Sequence, residues 1–304
     1  MRRRGLLLLI LLALTACTAS PPAPLIRLGD LQPLPAPIST TVVPLRISVA
    51  SVVSPRGTVE SYQPLLDYLS ARLGRPVELV QRRTYAETNE LIGRGDVDLA
   101  FVCTSAYVAG RDQYGMDLLV APQVDGATTY HSLLLVPATS SATTMADLRD
   151  AVFAFTDPTS FSGRIYPTSL VRELGADPAT FFSRTFFTYS HDNAIYAVAD
   201  GLADAAAVDS LVYKFAVARN PWLAQRVRVI HRSPPFGIPP VVVGPNLRPQ
   251  VRAELQAILL GLADDPSSEA RAALEALGVE RFVLLPDAAY TSARVVVANV
   301  GALK

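Results

Sequence analysis

The chain has 304 residues, half of them hydrophobic, and its 27 basic and 27 acidic side chains cancel. That length can bury one large or two medium cores, and the neutral balance excludes broad nucleic-acid binding, which needs a basic face. With only Cys17 and Cys103, there is no disulfide framework and no zinc spacing.

The first residues read as an address. Arg2, Arg3 and Arg4 form a positive start, and Gly5 to Leu14 form an apolar run too short for a comfortable membrane span. Leu14-Thr15-Ala16-Cys17 resembles a bacterial lipoprotein signal, which implies a signal peptide over residues 1–17 and lipid on Cys17. An ordinary signal peptide or a short membrane anchor is the alternative. Residues 18–44 are rich in proline and read as a semi-rigid tether, so the folded body is expected from Leu45.

Leu45 to Ala50 reads as a buried strand. A helix follows with Tyr62, Leu65, Leu69 and Leu73 on one stripe, Gly74 suited to its C′ position and Pro76 just beyond. Val77 to Val80 is a strand, Tyr85 to Arg94 a short helix ended by glycine, and Val97 to Val102 a continuous apolar strand. This βαβαβ order predicts a parallel sheet covered by helices. Leu118 to Pro122 and His131 to Pro137 are two further strands around a polar loop.

A second α/β unit starts after Pro137. It has a strand over Ala151 to Phe155, a helix within Ser162 to Leu174, a strand near Thr185 to Thr188, a helix over His191 to Asp200, and strands at Ala205 to Val208 and Val227 to His231. Pro239 to Val243 reads as a return strand. Val251, Leu255, Ile258, Leu259 and Leu262 then share a helix face, Pro266 opens another helix, and Asp287 is placed to cap a last one.

The predicted fold is therefore α/β and two-lobed, with mostly parallel sheets flanked by helices. Residues 45–136 and 237–304 form lobe 1, and residues 137–236 form lobe 2, inserted into it. Two extended segments, around His131 to Pro137 and Pro234 to Val243, would act as hinge strands, and the cleft between the lobes is the natural place for a ligand.

Two segments could carry chemistry. Asp157-Pro158-Thr159-Ser160-Phe161-Ser162-Gly163 follows an apolar strand and precedes a helix. Its hydroxyls can cap the helix, or the helix start and the free hydroxyls can donate to an anion, with Gly163 allowing close backbone approach. Ser190-His191-Asp192-Asn193 opens a second helix, where Ser190 suits the N-cap and His191 is either a surface residue or a donor. His131 and His231 stand alone, so no metal site is expected.

These segments, with Gly95-Asp96-Val97-Asp98-Leu99-Ala100-Phe101, Tyr130-His131-Ser132-Leu133-Leu134-Leu135-Val136 and Asp204-Ala205-Ala206-Ala207-Val208-Asp209-Ser210 in order and spacing, resemble the phosphate/phosphite/phosphonate-binding proteins of ABC transporters. The resemblance runs from about Leu45 to Tyr290 and implies a type II periplasmic-binding-protein fold. It implies that Ser160 and Ser162 hydrogen-bond an oxyanion, that His191 and Tyr130 donate to it, and that Tyr85 closes over it from the other lobe. It also implies an extracytoplasmic protein whose partners are an ABC permease and ATPase.

Two departures from the family pattern matter. Phe161 stands where a threonine hydroxyl is usual, and it either points away or reshapes the pocket. Of the carboxylates that hold an amine in aminophosphonate binders, only Asp209 is present. It either faces the cleft to accept a P–OH hydrogen or serves as a structural residue at the strand end. Phosphite, phosphate or a small alkylphosphonate is thus the expected ligand. Thr159 and Gly163, with Thr104, Ser105 and Tyr107 after a buried strand, are secondary candidates. The protein is read as a monomer with no cofactor, metal or nucleic acid. A sensor input protein of the same fold and an enzyme acting on a small metabolite are the alternatives.

Overall fold

The computed structural model describes residues 42–301. The expected signal, Cys17 and nearly all of the expected tether lie outside the described residues. Among the described residues, no helix is long and apolar enough to cross a membrane.

Strand β1 (Leu45–Val49) buries every residue except Arg46, the pattern of a strand covered on both faces. Helix α1 (Pro55–Leu73) starts on a proline, whose missing N–H costs nothing there, and stops at Gly74 with φ 60°. Strand β2 (Val77–Gln81), helix α2 (Tyr85–Arg94) and strand β3 (Leu99–Phe101) follow. Helix α2 has a capping box in which Thr84 Oγ1 accepts from the Glu87 N–H and the Glu87 carboxylate accepts from the Thr84 N–H. Helix α3 (Thr104–Tyr114), where only strand-end residues were expected, and strand β4 (Asp117–Gln123) complete this stretch.

The chain then crosses to a second sheet through β5 (Thr129–Tyr130) and β6 (Ser132–Pro137). Strand β7 (Val152–Phe155) leads into a π-helical turn (Phe161–Ile165) and helix α4 (Tyr166–Glu173). Strand β8 (Arg184–Phe187), helix α5 (His191–Ala199), strand β9 (Ala205–Asp209), helix α6 (Ser210–Arg219) and strand β10 (Val227–Arg232) come next. The chain returns through β11 (Phe236–Gly237) and β12 (Val241–Val243). It closes with α7 (Pro249–Gly261), α8 (Ser268–Leu277), β13 (Arg281–Val283) and α9 (Thr291–Val300). Pro266 lies just before α8, whose N-cap is Ser267. Asp287 does not cap α9; its carboxylate accepts from the Tyr107 hydroxyl at 2.7 Å and pairs with Arg111 and Arg294.

The two main sheets have the orders β13-β4-β12-β3-β1-β2 and β10-β6-β9-β7-β8. Each holds a parallel trio with its first strand in the middle, β2-β1-β3 and β8-β7-β9. The strands added beyond each trio are antiparallel to their neighbours. The sheets are therefore mixed rather than mostly parallel, because a chain that passes between the sheets arrives running the opposite way.

The crossing is a short ribbon in which Tyr130 pairs with Phe236 and Thr129 with Gly237. A side chain at 237 would meet the Ala289 carbonyl at 2.7 Å, so glycine is required for this approach. Strand β6 pairs with β9 and β10 and so lies in the second sheet. The change of sheet falls between Tyr130 and Ser132, not at the expected boundary after Val136. One apolar cluster bridges the crossing, with Cys103 and Tyr107 from the first sheet side, Phe161 and Tyr166 from the second, and Tyr130 and Phe236 between them.

Candidate functional site

In an α/β sheet whose strand order reverses, ligands bind beyond the carboxyl ends of the strands at the switch point. Both parallel trios have such a point. Beyond the first lie Val52 after β1, Tyr85 after β2 and Cys103 after β3; beyond the second lie Ser160 after β7, His191 after β8 and Asp209 at the end of β9. The two ends touch. The His191 N–H donates to the Val52 carbonyl at 2.8 Å, and the Tyr85 N–H donates to Asp157 Oδ2 at 3.1 Å.

Between them sits a group of fully buried hydroxyls. Tyr85 Oη, Tyr130 Oη and Ser162 Oγ have no hydrogen-bond partner among the described residues. Ser160 adjoins the Tyr85 hydroxyl, and Ser162 and Thr104 adjoin that of Tyr130. Burial raises both phenol pKa values well above the ordinary 10, with Cys103 and nearby carboxylates adding to it, so both stay protonated donors. A buried hydroxyl without a partner costs about 1–3 kcal/mol, so this cluster favours a guest rich in acceptors.

The backbone explains why the serines stand here. Ser160 Oγ accepts from the Gly163 N–H at 3.1 Å, and the Ser160 carbonyl accepts from Ile165 at 2.9 Å across the π-helical turn. Such turns are frequent at functional sites. Accepting that bond uses one lone pair and leaves the Ser160 hydroxyl its own hydrogen to donate. Ser162 is held from behind, its carbonyl accepting from Ser132 Oγ at 2.6 Å. A side chain at 163 would stand 1.9 Å from Thr156 Oγ1. The close approach at Gly163 is thus made by Thr156.

His191 has its tautomer set by the fold. Its Nδ1 accepts from the Asp209 N–H at 3.0 Å, so the neutral ring carries its hydrogen on Nε2, which lies 3.4 Å from Ser160 Oγ. Burial pushes its pKa down to about 3, so the ring is neutral at ordinary pH. Asp209 N-caps α6, accepting from the Leu211 N–H at 2.7 Å. Asp209 is thus a structural cap, as one of its two readings expected, and it also lines a cavity between the lobes. None of the residues Tyr85, Tyr130, Ser160, Ser162 and His191 carries a positive charge.

Other expected site residues have partners within the fold. The Tyr107 hydroxyl is taken by Asp287 on the side of α3 that faces α9, so it does not join the cluster. Thr159 is exposed, and its N–H and hydroxyl both donate to Asp157 Oδ1 at 2.7 Å. Thr104 Oγ1 donates to the Gly237 carbonyl of the crossing ribbon at 2.8 Å, and Ser105 Oγ donates across the cleft to the Thr159 carbonyl at 2.5 Å. Phe161 packs edge-on against Phe236 at 4.6 Å. Its ring belongs to the crossing rather than to the hydroxyl cluster.

Sequence reasoning missed Asp157 as a link between the lobes, although the residue sat in the quoted motif. It also missed the stacking of Arg83 from one lobe over Tyr189 of the other at 3.9 Å. Lys214 pairs with Asp125 and Arg219 with Glu60 across the same divide.

The family model "ABC transporter, phosphonate, periplasmic substrate-binding protein" matches residues 47–290. The phosphate-import protein PhnD of Mycolicibacterium smegmatis is 32% identical over 65% of this chain; the match spans 66% of that relative, just under two thirds of its length. The binding protein component of an ABC phosphonate transporter from Pseudomonas aeruginosa has a similar structure, with a TM-score of 0.77 at 22% identity over 83% of this chain and 84% of that one. PhnD1 of Prochlorococcus marinus in complex with methylphosphonate gives a TM-score of 0.75 at 19% identity, over 83% and 96%.

Asp209 gives a test of this geometry. Burial pushes its pKa from the ordinary 3.8 up to about 7, against the lowering effect of the Leu211 and Val212 N–H groups. A folded-state pKa above the unfolded one means that its contribution to stability is full below about 4 and is lost as pH rises through about 7. Asp209→Asn keeps a capping oxygen. The melting temperature of the variant, relative to the native chain, is expected to rise between pH 4 and pH 8. An equal difference at both pH values would mean that Asp209 is not desolvated.

Proposed function

Because this chain belongs to the family of periplasmic substrate-binding proteins of phosphonate ABC transporters, we propose that it captures a phosphonate-, phosphite- or phosphate-type oxyanion between its lobes. The carrying observation is the set of unpartnered buried hydroxyls of Tyr85, Tyr130 and Ser162 beside Ser160 and His191 Nε2–H. An oxyanion with several acceptor oxygens pairs with all of them at once. Each neutral donor to a charged acceptor contributes about 1.5–3 kcal/mol in a closed site. The phosphate that one relative is named for importing and the methylphosphonate held by PhnD1 agree with this chemistry.

Donors come from both lobes and from the crossing ribbon, so they meet around a ligand only when the lobes meet. Bound ligand then favours the closed arrangement through contacts that an open one lacks. In this reading the protein delivers its cargo to an ABC permease and its ATPase on the outer side of the membrane, tethered by lipid on Cys17. It performs no reaction. Burial raises the Cys103 thiol pKa, and His191 is engaged by Ser160 and Asp209 rather than by the sulfur.

Titration calorimetry with phosphite, phosphate and methylphosphonate tests the assignment. His191→Ala and Ser160→Ala are each expected to weaken binding by about 1–3 kcal/mol; unchanged affinity in both would remove these groups from the site. Cys17→Ser is expected to move the protein from the membrane fraction to the soluble one. A variant that stays with the membrane would point to a different anchor.

A further inference from the structure

A cavity of about 350 Å³ lies between the lobes, and most of its lining residues are apolar. Val49 and Val102 enter it from the carboxyl ends of β1 and β3, Ile238 from the segment before β12, and Leu211 and Phe215 from α6. Its charged lining residues are Asp209 and Lys214. Lys214 is paired with Asp125, and Asp209 Oδ1 is committed to the cap of α6.

The cavity shares two residues with the oxyanion site. Asp209 lines it and at the same time fixes the His191 tautomer through its N–H. Val52 also lines the cavity, and its carbonyl accepts the His191 N–H. A ligand whose oxyanion head sits against Ser160, Ser162 and His191 therefore has this space next to it. A protonated amine would find Asp209 as its carboxylate there, with one oxygen already accepting from Leu211. An aliphatic group would meet valine, leucine, isoleucine and phenylalanine surface.

Resting on the proposed oxyanion reading, we infer that this apolar cavity is a subsite for the substituent of the ligand, and that the preferred cargo is an organophosphonate with an uncharged aliphatic group rather than phosphate, phosphite or an aminoalkylphosphonate. The deciding residues are Leu211 and Phe215, which bring the wall from α6.

Calorimetric titration of the full chain with methyl-, ethyl-, propyl- and butylphosphonate tests this. Burial of each added methylene is expected to tighten binding by about fourfold, and ethylphosphonate is expected to bind more tightly than 2-aminoethylphosphonate. Phe215→Gln should lower the ratio of butyl to methyl affinity by about tenfold, with circular dichroism confirming that the variant is folded. Affinity that is flat or falls with chain length while methylphosphonate still binds would overturn the subsite and leave the oxyanion site standing, as would tighter binding of the amine. An unaltered butyl-to-methyl ratio in Phe215→Gln would also overturn it. Binding of no phosphonate and no phosphite at all would instead overturn the underlying reading.

Discussion

The structure turns on taking hydroxyl groups out of water without giving them partners. Tyr85, Tyr130 and Ser162 are buried where the ends of two sheets meet, and their hydroxyls find no acceptor among the described residues. Protein interiors rarely tolerate this, because each such group loses its hydrogen bonds to water. The surrounding fold holds the cost in place. Asp157 accepts from the start of α2, Ser132 holds the Ser162 backbone, and Thr104 is tied to the crossing ribbon. A rigid frame of satisfied groups thus presents an unsatisfied interior, which the proposed oxyanion would relieve.

The charge pattern follows from the same frame. The cluster has no cationic side chain, and its imidazole is kept neutral by burial. Selection among oxyanions then depends on the count and direction of donors, and on what lies beside them. Asp209, whose N–H holds the His191 ring, also lines a largely apolar cavity between the lobes. On the proposed reading, the head of a ligand is read by hydrogen bonds and its tail by surface, with Asp209 at the boundary.

Much of this was legible in the sequence because caps and turns are local. Gly74 marks the end of α1, the glycine after Arg94 the end of α2, and Ser190 the start of α5, whereas the Thr84–Glu87 box that opens α2 went unread. Those caps are what carry Tyr85 and His191 into place. Strand direction was not legible. An apolar run such as Val241 to Val243 is the same whether it pairs parallel or antiparallel, and only the path between the sheets decides it. Helix α6 escaped notice because Ser210 to Arg219 carries apolar residues around its whole circumference and buries only Val212 fully. That missed helix supplies the apolar wall. Tyr107 was misplaced for a related reason: its position after β3 is right for a ligand, but its hydroxyl is claimed by Asp287, far along the chain.

The most direct test is a crystal structure of the chain with methylphosphonate. The account predicts phosphoryl oxygens within about 2.6–3.2 Å of Tyr85 Oη, Tyr130 Oη, Ser162 Oγ and His191 Nε2, with the lobes in contact around them. A ligand seated elsewhere, with these groups bonded to one another instead, would contradict it.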